Sequence, residues 1–326
     1  MVMLLYIGLL IFGLGLLWWS GELTVRYSLE MAHIFNFSML FIGFIIISIA
    51  TGLPELAIVI SSLIKNVHSL SIGAIIGSNF SDVALVLGIP AFFIQTLLVG
   101  EEEYKEVVFM LGLSAAVMAF VFLWGTLYWW SGLLLMAVYL GALGTIWRLR
   151  HVKKAVHAYV KDDLKPQYEL HEVGGWYKFF VIIKLCISAL LVLFASHCAV
   201  TASIFLAKML PWSIETIGET IMAIGTSLPE MTIAFIAARR KEYSLAIGTS
   251  FGSVLEQGTL LLGIVAFFSG NSVSITQFRH IAPFMFIAFA IVGYGIIWRQ
   301  RINRREGGAL LLLYLVFLVY EFAIKA

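Results

Sequence analysis

Two glutamates stand where a membrane-crossing helix ordinarily carries none. Glu55 lies in ATGLPEL, residues 50–56, and Glu230 in GTSLPEM, residues 225–231, both inside long apolar runs. Each follows a proline by one position and a threonine by four, so Thr51 with Glu55, and Thr226 with Glu230, share one helical face. The proline withholds a backbone N–H and blocks the carbonyl near Ala50, one turn earlier. In hydrocarbon an orphaned carbonyl is costly unless it faces a cavity or an ion. A carboxylate there costs at least about 2.5 kcal/mol even on the lenient insertion scale. Breaker, hydroxyl and acid together predict an interrupted helix whose freed oxygens face a site.

The two segments are copies. Glu55 and Glu230 are 175 positions apart, and the same ungapped offset aligns SLSIGAIIGSNFSDVALVLGI (69–89) with SLAIGTSFGSVLEQGTLLLGI (244–264), identical at ten of 21 positions. The second pair of segments adds Ser78 and Asp82, four apart, with Ser253 and Gln257 as their mates. No His or Cys stands among these repeated polar positions. An all-oxygen donor set suits hard cations such as Ca²⁺, Na⁺ and Mg²⁺, not zinc or copper. Three carboxylates, Glu55, Asp82 and Glu230, offset one divalent ion or up to three monovalent ones.

Some positions stay open on sequence alone. A lone glutamate in a span can be a protonated structural residue, but two at equivalent repeat positions argue against that. Ser78 and Ser253 sit behind glycines, which fits both ion ligands and close helix packing. Glu256 has Ser81 as its mate, so the repeat assigns it no role. A proton site, an outlying ligand and a water-facing residue all fit it. His197 and Lys184 read as interfacial or satisfied residues.

The elements that must hold these groups are membrane spans. The chain has 326 residues, 61% apolar and 12% charged, with a mean hydropathy of +0.98. Soluble domains are about a quarter charged. A net charge of +2 gives no reason to expect a nucleic-acid partner. Cys186 and Cys198 fall in one expected helix, about 18 Å apart along its axis, and cannot pair with each other. Residues 1–21 carry no charge, so the start reads as an uncleaved first span with Trp18 and Trp19 near the interface, not a signal peptide.

Apolar runs separated by charges give about ten spans, near 3–25, 38–63, 70–96, 106–124, 129–147, 178–206, 213–238, 244–268, 280–298 and 308–324. The uncharged stretch 107–147 fits two crossings turned at WGTLYWWSG. Lys and Arg concentrate in the loops that follow odd-numbered spans, above all in 148–177 and at Arg239, Arg240, Lys241, Arg299, Arg301, Arg304 and Arg305. By the positive-inside rule those loops are cytoplasmic and both termini lie outside. The expected organisation is a first half over 1–147, a cytoplasmic linker over 148–177 and a second half over 178–326. Five is odd, so the second copy must enter the membrane from the opposite side. The fold expected is an all-α integral membrane protein of about ten transmembrane helices, built as two inverted five-helix repeats. Secondary transporters use this design and place their site at the bilayer midplane.

At these residues the chain resembles the sodium/calcium exchanger family of the calcium/cation antiporter superfamily. That family carries G-T-S-L-P-E on spans two and seven and G-S-N-x-x-N or G-S-N-x-x-D on spans three and eight. Here the segments read ATGLPE and GTSLPE, then GSNFSD and GSVLEQ. The resemblance covers both repeats, the ten spans and the central linker. It implies an antiporter, not an enzyme, that exchanges Ca²⁺ against Na⁺ by alternating access in the plasma membrane. It implies no cofactor beyond the transported Ca²⁺ and Na⁺. It also implies that Glu55 and Glu230 bind Ca²⁺ and that the carbonyls of Thr51 and Thr226 are ligands. The remaining implied ligands are Ser78, Asp82, Ser253 and Gln257, the Ser227 hydroxyl, and the carbonyls of Ser48 and Ala223, one turn before each threonine.

Three departures stand out. Gly52 replaces the motif serine that Ser227 keeps, Val254 replaces the motif asparagine, and the acid of spans three and eight is on span three. An exchanger that carries H⁺ in place of Na⁺ is the alternative, although its branch usually lacks the threonine-serine-leucine-proline pattern. An intramembrane aspartyl protease would need a Gly-x-Gly-Asp setting, which is absent. A passive channel is disfavoured by two interrupted halves.

Overall fold

The computed structural model describes residues 2–35, 37–64, 68–101, 103–148, 175–207, 220, 223–270 and 272–322. Helices dominate. Seven stretches among the described residues are long and apolar enough to cross a membrane: Met3–Ala32, Ser71–Phe93, Tyr104–Trp124, Trp129–Ile146, Trp176–Ala195, Tyr243–Phe268 and Thr276–Arg299. This is a multi-pass membrane protein. Large apolar side chains such as Leu4, Ile11, Leu190 and Phe194 point outward, as a lipid-facing surface requires.

Three expected crossings take other forms. The stretch 38–63 is divided into an apolar helix, Met39–Thr51, and a second piece, Leu53–Ile64. The stretch 213–238 is described only at 220 and from 223 onward, and 308–324 corresponds to helix Arg304–Tyr320. The linker expected over 148–177 lies outside the described residues except at its two ends.

The first helix, Val2–Phe35, runs ten residues past the expected end and packs along the 33-residue helix Gly175–Ala207. No proline interrupts residues 26–35, and Glu22, Arg26 and Glu30 recur every fourth position. Glu22 holds Arg239 at 2.7 Å and also pairs with Arg240, while Glu30 accepts from the Tyr177 hydroxyl. Lys184 lies between the rings of Tyr27 and Tyr177, and His197 is exposed, so neither faces the repeated acids. The turn expected between 107 and 147 is present. Helix Tyr104–Trp124 ends on Gly125, whose φ of 73° suits a residue without Cβ, and Trp129–Arg148 follows.

The repeat recurs in the backbone. Shifted by 175, the pieces Ser48–Thr51 and Leu53–Ile64 fall on Ala223–Thr226 and Leu228–Arg239. Trp129–Arg148 starts in register with Arg304–Tyr320. Two short antiparallel pairings, Thr96–Leu98 with Arg301–Asn303 and Thr126–Leu127 with Val273–Ser274, join the halves. Shifting Thr126 by 175 lands on Arg301, so each pairing is approximately the image of the other. The halves also meet at glycines. A Cβ on Gly43 would stand 2.5 Å from the Leu245 carbonyl oxygen, and one on Gly248 the same distance from that of Leu40. Backbones come this close only where side chains are missing.

Candidate functional site

The site forms where both interrupted helices break. Helix Ser48–Thr51 closes on Gly52 and resumes at Leu53; Ala223–Thr226 closes on Ser227 and resumes at Leu228. Glu55 and Glu230 therefore stand in the first turn of a new helix, where free N–H groups and the helix dipole favour negative charge. The carbonyls of Ser48 and Ala223 cap the breaks. The first accepts from Gly52 N at 2.8 Å and the second from Ser227 N at 3.1 Å, and each also accepts a longer bond of 3.3 Å from the neighbouring threonine hydroxyl, Thr51 or Thr226.

The neighbouring helices are distorted at matching points. His68–Ser81 runs into a π-helical turn over Asp82–Val86, and Tyr243–Leu255 into another over Glu256–Leu261. Such turns leave backbone groups unpaired and cluster at functional sites.

All the sequence-selected residues are buried: Ser48, Thr51, Glu55, Ser78, Asp82, Ala223, Thr226, Ser227, Glu230, Ser253 and Gln257. Their contacts cross between the halves. The hydroxyls of Ser78 and Thr226 are 2.9 Å apart. Gln257 Nε2 donates to Asp82 Oδ2 at 3.0 Å, and the Ser250 hydroxyl donates to the Asp82 carbonyl at 2.8 Å. Thr226 flanks the Glu55 carboxyl, whereas Thr51 and Ser253 flank that of Glu230. Each half thus lends a threonine hydroxyl to the acid of the other, and Ser253 adds one from Glu230's own half.

Charged donors do not reach these acids. Among the described residues both oxygens of Glu55 and Glu230, Asp82 Oδ1 and Gln257 Oε1 are buried without a hydrogen bond of good geometry, the hydroxyls of Thr226, Thr51, Ser253 and Ser227 standing close by. Among the described residues no Lys, Arg or His pairs with these acids. Burying a carboxylate unpaired is costly, so such a set is compatible with a stable protein only if protons or cations neutralise it. The donors are hard oxygens throughout, which fits alkali and alkaline-earth cations. No three His, Cys, Asp or Glu side chains among the described residues close on one point as in a resident metal centre.

Sequence reasoning left Glu256 without a role. It is buried in the same region, within electrostatic reach of Glu230 and Asp82, and its carboxyl lies against Gly52. Tyr139 and Tyr314, themselves 175 positions apart, were not singled out. They stand beside Glu256 and Ser81 respectively, which are also repeat mates. The spacing of the two tyrosines was the available signal.

The family model described as "Sodium/calcium exchanger protein" matches residues 5–148 and 180–323. Inner membrane protein YrbG of Escherichia coli is 28% identical over 314 residues, covering 95% of this chain and 94% of that protein. Sodium/calcium exchanger MaX1 of Methanosarcina acetivorans is 27% identical over 347 residues, covering 97% and 98%. Among solved structures, the sodium-calcium exchanger NCX_Mj soaked with 10 mM Na⁺ and zero Ca²⁺ superposes with a TM-score of 0.78 at 24% identity, covering 97% of this chain and 99% of that one. The two share a fold.

Proposed function

The chain belongs to the sodium/calcium exchanger protein family, and from that membership we propose that it is a secondary antiporter exchanging Ca²⁺ against Na⁺ across a membrane by alternating access. The observation that carries this is the pair Glu55 and Glu230, each buried at the break of a repeated helix with neither oxygen in a hydrogen bond of good geometry. The name of its relative MaX1 points the same way.

The architecture proposed is ten spans in two inverted five-helix halves, 1–147 and 178–326, joined by a cytoplasmic linker over 148–177. Both termini face outward and the membrane is the plasma membrane. The Lys and Arg distribution supports that orientation. With an inverted pair of broken helices the two breaks meet near the midplane, and rocking one part of the bundle against another opens the site to either side in turn.

The ligands proposed are the carboxyls of Glu55, Glu230 and Asp82, the Gln257 amide oxygen, the hydroxyls of Ser78, Ser253 and Ser227, and backbone or hydroxyl oxygens at Ser48, Thr51, Ala223 and Thr226. Three carboxylates neutralise one Ca²⁺ with one charge to spare, or up to three Na⁺. Each ion set cancels the repulsion the other cancels, so the two compete for one donor set. The empty, fully charged site is too costly to reorient in lipid. That cost is what ties movement of one ion to countermovement of the other.

The test is Ca²⁺ uptake into proteoliposomes under an outward Na⁺ gradient at clamped pH. Na⁺-driven accumulation is expected. Uptake driven by a pH gradient and indifferent to Na⁺ would replace this reading with Ca²⁺/H⁺ exchange.

A further inference from the structure

Gly52 and Glu256 are both departures from the repeat: their mates are Ser227 and Ser81. The structure sets the two departures against each other. A Cβ built on Gly52 would stand 2.7 Å from Glu256 Oε1 and 3.0 Å from its Oε2 and Cδ. The carboxyl of Glu256 therefore fills the space that a side chain at 52 would enter. It is 4% exposed, and its Oε2 has no hydrogen-bond partner. Each pair takes one residue from either half. The repeat mates Ser227 and Ser81, both buried, carry two neutral hydroxyls where Gly52 and Glu256 supply no side chain and a carboxylate.

We propose that Glu256 is a cation ligand, seated over Gly52 and forming a Na⁺ subsite beside the Glu55 and Glu230 pair. The inference rests on the exchange reading only for the choice of Na⁺ as the ion. The donors are hard oxygens, which exclude soft metals. Ca²⁺ takes six or more oxygens and commonly several carboxylates. At this place a carboxylate stands where the repeat mate is the hydroxyl of Ser81, and one added carboxylate offsets one added monovalent charge. A monovalent ion fits that count. A fourth carboxylate also changes the stoichiometry: Glu55, Asp82, Glu230 and Glu256 together accommodate one more monovalent charge than the first three do.

Three variants of the full-length protein test this, with ²²Na⁺ binding in detergent and Na⁺-dependent ⁴⁵Ca²⁺ movement in proteoliposomes as readouts. Glu256→Gln keeps the volume and removes the charge. It is expected to bind one fewer ²²Na⁺ per chain and to raise the half-saturating Na⁺ concentration about tenfold, the scale of one lost charge-assisted contact. The Na⁺ curve should move further than the Ca²⁺ curve. Gly52→Ser puts a side chain where the carboxyl lies and is expected to displace it, lowering the ²²Na⁺ count by one with expression retained. Gly52→Ser with Glu256→Ser restores the residue types of the mates Ser227 and Ser81, and is expected to express and exchange with the same lower Na⁺ count.

Unchanged ²²Na⁺ binding in Glu256→Gln, or an unchanged ²²Na⁺ count in Gly52→Ser, overturns the proposal while leaving Na⁺/Ca²⁺ exchange by the wild type intact. A wild type that binds Na⁺ and loses one ion in Glu256→Gln, yet does not exchange it for Ca²⁺, sinks the exchange reading and keeps the subsite. A wild type that binds no ²²Na⁺ at all overturns the subsite.

Discussion

Asp82 and Gln257 are repeat mates, 175 positions apart, and they are hydrogen-bonded to each other at 3.0 Å. In the proposed inverted repeat two mates can touch only beside the two-fold axis, so on that reading this pair marks where the halves meet. Glu55 and Glu230 lie within electrostatic reach of Asp82. The pair is one acid and one amide, so the site is asymmetric there.

Moving that acid across the axis should be tolerated better than removing it. Asp82→Asn leaves two amides face to face and deletes a charge from the site. Na⁺-driven ⁴⁵Ca²⁺ uptake is expected to fall at least about tenfold, since a hydrogen bond to a charged group contributes about 1.5–3 kcal/mol. Adding Gln257→Asp to Asp82→Asn restores the charge count and the hydrogen bond with roles exchanged. Uptake by the double variant should exceed that of Asp82→Asn. An equally inactive double variant would show that the position of the acid matters beyond its charge.

Glu55→Gln and Glu230→Gln separate stability from function. Each removes one of several like charges buried near one another. In ion-free buffer the variants are expected to melt no lower than the wild type, because neutralising an unpaired buried carboxylate relieves a desolvation cost of several kcal/mol. Ca²⁺ at a hundredfold its dissociation constant stabilises a binding protein by about 2.7 kcal/mol. That shift should appear in the wild type and vanish in both variants, together with ⁴⁵Ca²⁺ transport. Thermal melts with and without Ca²⁺ read both effects.

Much of this arrangement is legible in the sequence because duplication prints it twice. The offset of 175 located Glu55, Glu230, Ser78, Asp82, Ser253 and Gln257, and the same offset relates the backbone breaks at Gly52 and Ser227. What escaped is what the copies do not share. Glu256 aligns with a serine, so the repeat was silent about it, and only the direction of the missing Cβ at Gly52 links the two. The first helix escaped for another reason. Hydropathy falls at Glu22 and Arg26, but the helix continues to Phe35 because those charges lie outside the apolar face and Glu22 finds its partners in Arg239 and Arg240. The two-residue ladder at Thr126–Leu127 is too short to leave a periodic signal.

Close packing between halves should be sensitive to one methyl group. In Gly43→Ala the new Cβ meets the Leu245 carbonyl oxygen at 2.5 Å and Thr249 N at 2.8 Å, both backbone atoms that cannot rotate away. Overpacking of this kind costs about 1–3 kcal/mol. Gly141→Ala adds the same methyl where nothing lies within 4 Å. It should be neutral, or stabilising by up to about 1 kcal/mol through helix propensity. Thermal stability of the two purified variants gives the comparison, and equal melting temperatures would contradict the contact.

Ser78 decides between the two readings the sequence left open, ligand and packing. Its hydroxyl meets that of Thr226 at 2.9 Å across the halves, and its side chain is fully buried. If the residue served packing alone, Ser78→Ala would be silent, because alanine is smaller and more apolar. If the hydroxyl orients Thr226 beside Glu55, or contacts the ion itself, alanine removes an oxygen that no neighbour replaces. A lost hydrogen bond of about 1 kcal/mol corresponds to roughly a fivefold weaker affinity. The half-saturating Ca²⁺ concentration of Ser78→Ala should rise by that order, with melting temperature in ion-free buffer unchanged. Ser78→Cys keeps the volume and a weak donor but supplies a soft atom poorly matched to Ca²⁺ or Na⁺. It should weaken Ca²⁺ binding as alanine does if the oxygen contacts the ion, and much less if it only positions Thr226.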